Sequence, residues 1–108
     1  MEVFHIDDQL AKLTLDHDDF KHFFTTDKLS LTVVRWLAGT VDDQLPHAED
    51  EVYYVVQGAA RITVAGETEP VRPGSIVYVA ANIDHHFHDI EEDLEVLVFW
   101  APPRNIPA

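Results

Sequence analysis

Cysteine is absent from these 108 residues, so neither disulfides nor thiolate-bound metals hold the chain together. Basic side chains are scarce: seven Lys and Arg face 20 Asp and Glu, a formal charge of −13 at pH 7. Such a field repels phosphate backbones and anionic lipid, which argues against nucleic-acid binding and a membrane-surface role. No apolar run approaches the roughly 20 residues that a bilayer-spanning helix needs. The opening MEVFHIDDQL lacks the basic-then-apolar pattern of a secretory signal. The expectation is a soluble, cytoplasmic protein with no nucleic-acid or membrane partner.

The length suits one domain, able to bury roughly two-thirds of its unfolded surface without staples. Residues 1–28 mix acids, histidines and phenylalanines and read as a segment packing on the main body. Asp18 or Asp19 is placed to cap a short helical turn leading to Phe23 and Phe24. Residues 29–101 change texture: LSLTVVRWL, EVYYVVQ, ARITVAG, SIVYVAA and LEVLVFW are short β-rich segments separated by Gly- and Pro-containing turns. EVYYVVQGAARITVAG reads as a hairpin about Gly58, with a further strand through residues 68–72. Residues 102–108 hold Pro102, Pro103 and Pro107 and read as an extended tail. This pattern predicts an all-β sandwich or barrel.

The stretch LPHAEDEVYYVVQG sets carboxylates and a histidine against the most strand-like segment of the chain. In an unbroken strand, Leu45, His47, Glu49, Glu51, Tyr53 and Val55 share one face, wet at one end and dry at the other. The interior of a barrel has this character, whereas the plain alternative is a solvated strand end. Downstream, a strand over 75–80 and a polar turn at 82–84 lead to His85, His86 and His88. His85 shares parity with Phe87, and His86 with His88, so one pair points inward.

At these residues the chain resembles the cupin superfamily, small β-barrels with two metal-carrying motifs. The first motif is glycine, five residues, His-x-His, three or four residues, glutamate, six residues, glycine. Gly39, Leu45, His47, Glu51 and Gly58 follow that spacing, with Leu45 in place of the first histidine. The second motif is glycine, five residues, Pro-x-Gly, two residues, histidine, three residues, asparagine. Gly74, Ala80, Asn82, His85 and Asp89 take its positions. Asn82 is a tolerable substitute for glycine, because asparagine visits left-handed backbone.

The resemblance implies a single-domain cupin barrel of jelly-roll or double-stranded β-helix type, and a homodimer. It implies His47, Glu51 and His85 as ligands of a divalent transition metal (Fe, Mn, Ni, Co or Zn), with open positions for a small polar metabolite. Glu49 is either a further ligand or a general base. A bulge would put His86 or His88 in the place of His85. The implied activity is that of a metal-dependent dioxygenase or isomerase. The alternative is a non-catalytic binding or sensing barrel, with or without metal. His5, His17 and His22 are expected to be exposed, residues 42–43 and 91–93 to be solvated turns, and Tyr53, Phe87, Phe99 and Trp100 to be core. Arg35 and Trp36 have opposite parity, so only one faces the interior.

Overall fold

A computed structural model describes residues 1–104. Helix α1 (Ile6–Asp16) precedes six strands: β1 (Phe20–Thr25), β2 (Ser30–Trp36), β3 (Asp50–Val64), β4 (Glu67–Val71), β5 (Ile76–Val79) and β6 (His85–Ala101). All pairings are antiparallel, in the order β1-β2-β6-β3-β4, and β5 pairs with β3. The all-β barrel expected from the sequence is therefore the architecture found. No described helix is long and apolar enough to cross a membrane.

Two long strands close the barrel, and both change face partway along. In β3, Glu51, Tyr53 and Val55 point inward, and beyond the register shifts at 55–61 the inward set becomes Ala60 and Ile62. In β6, His85 and Phe87 point inward, and beyond Asp89, at φ 48°, the inward set becomes Ile90, Leu94, Val96, Val98 and Trp100. The register shifts between the two strands bend them and preserve an apolar interior on both sides of the bend. A straight strand from Glu51 to Val64 would span about 40 Å. Val64 nevertheless pairs with His85, whose ring touches Glu51, so β3 curls back on itself.

Gly58 lies within that curl, which corrects the expected hairpin: EVYYVVQGAARITV is one bent strand lying along β6. At φ 103° a side chain is already strained, and a Cβ would stand 2.8 Å from Leu94 Cα and against the Asp93 carbonyl. The true hairpin follows at Ala65 and Gly66, both at positive φ as a two-residue turn requires, and joins β3 to β4.

The N-terminal helix also lies elsewhere than expected. Ile6, Leu10 and Leu13 recur at helical spacing and pack on Val33, Val56 and Leu97, outside the barrel. The helix ends at His17, at φ 55°, so Asp18 and Asp19 cap nothing, and Phe23 and Phe24 belong to β1. Arg35 binds α1 to the sheet: it donates to Glu95 (2.8 Å), Thr14 Oγ1 (2.9 Å) and the Leu10 carbonyl (3.2 Å). Trp36 is thus the inward member of that pair and packs on Phe87, ring centroids 5.0 Å apart. Tyr53, Phe87 and Trp100 are core as expected, whereas Phe99 is exposed on the outer face. Arg104 returns to the barrel through its N–H on Ser30 Oγ, and the expected tail beyond it lies outside the described residues.

Candidate metal centre

His47, Glu51 and His85 come together inside the barrel, with one donor atom from each lying within 4.8 Å of the others. Atoms that bind one ion at about 2.0–2.2 Å stand roughly 3–4.4 Å apart, so small side-chain movements from this spacing would admit a shared cation. Glu51 sits near the start of β3, between Val79 and Trp100, and His85 opens β6. His47 comes from the loop before β3, whose carbonyl accepts the Asn82 N–H at 2.6 Å. Asn82 holds φ 65°, the left-handed turn that brings β5 round to β6.

His85 Nδ1 donates to the Ile83 carbonyl at 2.8 Å, which turns Nε2 towards the cluster. Nε2 stands 2.6 Å from Glu51 Oε1, and both side chains are 1% exposed. Burial opposes charge on this imidazole, but the Glu51 carboxylate, the Ile83 carbonyl and Asp42 outweigh it and lift its pKa. For His47, burial and the Arg104 guanidinium prevail over the carboxylates and lower the pKa. Burial, with the Glu51 charge, pushes the Tyr53 phenol well up.

The approach of His85 is a close charge contact off the hydrogen-bond line. Both Glu51 oxygens remain buried with no hydrogen-bond partner among the described residues. A buried carboxylate held by a close imidazole alone is incompletely compensated, and a divalent cation between the two imidazoles would complete the compensation. Two imidazoles and a carboxylate form a donor set that could hold a metal ion.

The other residues singled out in the sequence lie apart from this cluster. Leu45 is 77% exposed, because Pro46 follows it and β3 begins only at Asp50, so strand alternation does not reach back that far. Glu49 Oε1 pairs with Arg104 at 3.1 Å. His86 and His88 face outward, and His88 bonds Thr63 Oγ1 at 2.7 Å. His5 and His17 are exposed as expected.

Three residues near the cluster escaped the sequence reading. Gln44 Oε1 is 2.8 Å from His47 Nε2, 3.2 Å from His85 Nε2 and 3.3 Å from the Tyr53 hydroxyl. Asp42, expected in a solvated turn, is 5% exposed and accepts from the Phe87 N–H at 2.9 Å. His22, expected at the surface, is half-buried and bonds Thr32 Oγ1 at 2.6 Å. His22, Trp36, Gln44, His47, Trp100 and Arg104 line a cleft of about 370 Å³ that opens from the cluster. The signal for Gln44 was Pro46, which makes parity counting from His47 unsafe.

The family profile described as "Cupin domain" matches residues 32–101. An uncharacterized protein of Streptomyces coelicolor is 44% identical over 105 residues, 97% of this chain and 100% of that protein. Among solved structures, KdgF from Halomonas sp. superposes with a TM-score of 0.73 at 28% identity, over 80% of this chain and 79% of that one. The DMSP lyase DddQ from Ruegeria pomeroyi gives 0.69 at 23% identity, over 79% of this chain and 48% of that one. An RmlC-like cupin from Shewanella frigidimarina gives 0.71 at 18% identity, over 80% and 77%. The last two likenesses speak for the fold.

Proposed function

This chain belongs to the cupin domain family, and on that footing we propose that His47, Glu51 and His85 hold one divalent transition metal. A small polar metabolite then binds in the adjoining cleft and reaches the metal's open positions. The observation that carries this reading is Glu51, a buried carboxylate that faces two imidazoles and, among the described residues, has close charge contact with His85 but no well-aligned hydrogen bond. Fe, Mn, Ni, Co and Zn all suit the donors. When bound, the metal supplies Lewis acidity towards hydroxyl and carbonyl oxygens or, as iron, dioxygen chemistry of the kind a dioxygenase uses. The chain's own residues shape the cleft: Trp36 and Trp100 exclude water, and Arg104, over the Trp100 ring at 5.2 Å, offers a cation to an oxyanion.

A second reading is a binding or sensing barrel without turnover. It is favoured by the state of the nearby carboxylates: Glu49, the proposed general base, is occupied by Arg104, and Asp42 by the Phe87 N–H and Gln44. A base role for Glu49 requires Arg104 to leave it for the ligand.

Metal analysis of untagged protein tests the main reading. About one ion per chain is expected, lost in His47→Ala and His85→Ala. Less than about a tenth of an equivalent after reconstitution would overturn it. Turnover or oxygen consumption with small hydroxy and keto compounds favours an enzyme, and thermal stabilisation without turnover favours a sensor.

We also infer a homodimer. Tyr54, Ile76, Tyr78 and Phe99 form an exposed, uncharged patch on the outer face of β3, β5 and β6, beside the part that α1 covers. A second copy of the same patch matches it in a chain whose remaining surface is strongly acidic. Light scattering should give twice the monomer mass, reduced to the monomer in Tyr78→Glu. A monomeric native protein would refute the inference.

A further inference from the structure

Gln44 stands where its oxygen can do more than bond a histidine. Its Oε1 meets His47 Nε2, His85 Nε2 and the Tyr53 hydroxyl within 3.3 Å, the same space that the Glu51 carboxylate faces. Resting on the metal reading above, we propose that Gln44 Oε1 is a fourth protein ligand of that metal, in the place that sequence spacing gives to Leu45.

The orientation of the amide is fixed chemically. Gln44 Nε2 lies 2.5 Å from Asp42 Oδ2, and a carboxylate only accepts hydrogen bonds, so the NH₂ group faces Asp42. The reversed amide would set its oxygen against that charge and its hydrogens against the imidazoles. Asp42 cannot turn away, because its Oδ2 holds the buried Phe87 N–H and its Oδ1 accepts the Gln44 N–H at 3.2 Å. Oε1 is thereby directed at the cluster before any metal arrives. In the metal-free arrangement it accepts from His47 Nε2–H; to ligate, the neutral His47 ring would carry its proton on Nδ1 instead, leaving the lone pairs of Nε2 and Oε1 free for an ion. A carboxylate oxygen and an amide oxygen beside two imidazoles make a harder site than three imidazoles would, suited to Mn, Fe, Co or Ni.

Leu45 makes the inference sharply testable. It is exposed and leads away from the cluster, whereas Gln44 leads into it. X-ray absorption on the cobalt-loaded protein counts imidazoles through their outer-shell scattering. Gln44→His should add one imidazole to the metal, and Leu45→His should add none. The opposite pair of results would overturn the proposal. Gln44→Ala, with folding checked by thermal melting, should weaken cobalt affinity by about 10- to 100-fold and change the visible cobalt spectrum. Native-like affinity and spectrum in Gln44→Ala would refute Gln44 ligation while leaving the metal site itself intact. A native protein that takes up no cobalt would instead refute the metal reading on which the proposal rests.

Discussion

Glu51 and His85 meet at 2.6 Å in the closed interior of the barrel, although most of β3 and all of β4 and β5 lie between them in the chain. That contact exists only because β3 curls through Gly58 and β6 bends at Asp89. The site is therefore a product of the same bends that close the fold.

Replacing Glu51 by Gln should separate function from stability. The metal-free variant is expected to stay within about 1 kcal/mol of the native protein, because loss of the buried charge offsets loss of its contact with the His85 imidazole. The rise in melting temperature on adding metal should vanish. Paired thermal melts with and without cobalt measure both effects.

Gly58→Ala should destabilise by about 2–4 kcal/mol or prevent folding, from positive φ and backbone overlap together. Urea denaturation provides the value. Gly66→Ala meets no neighbouring atoms and should lose less.

Acid should act partly through His22, whose pKa is lowered from 6.5 first by burial and then by Arg104. The folded imidazole resists a proton that the unfolded chain accepts. Its contribution to stability is complete above about pH 6.5 and is lost as pH falls through the lowered folded value. In metal-free protein, His22→Gln should flatten that part of the stability–pH curve, as urea midpoints measured between pH 7.5 and 5 would reveal.

Asp42→Asn should act through Gln44. An asparagine oxygen in the Oδ2 place still receives the Phe87 N–H and the Gln44 NH₂, but its own NH₂ then confronts the Gln44 backbone N–H that Oδ1 had accepted, which displaces Gln44. Cobalt affinity should fall by about tenfold, and the double variant Asp42→Asn, Gln44→Ala should bind no more weakly than Gln44→Ala alone. Chelator competition measures all three.

Alternation and turn residues made the barrel legible, the double-glycine spacing led to His47 and Glu51, and the second motif led to His85. His85 rather than His86 or His88 faces inward, and Glu51, Tyr53 and Val55 share a face, as strand parity allows. What local pattern did not reveal was set by tertiary contact. Gly58 resembles a hairpin turn because a bulge and a turn both require positive φ. Asp42 resembles a solvated acid because its partner, the Phe87 N–H, lies 45 residues away. Leu45 and Gln44 exchange places because Pro46 removes the regular strand that parity presupposes.

Anomalous diffraction from crystals grown with cobalt tests the central claim most directly. The account predicts one strong peak per chain, within bonding distance of His47 Nε2, His85 Nε2 and a Glu51 oxygen. Full cobalt occupancy elsewhere, for instance at His86 and His88 on the outer face, or no peak between Glu51 and the two imidazoles, would contradict it.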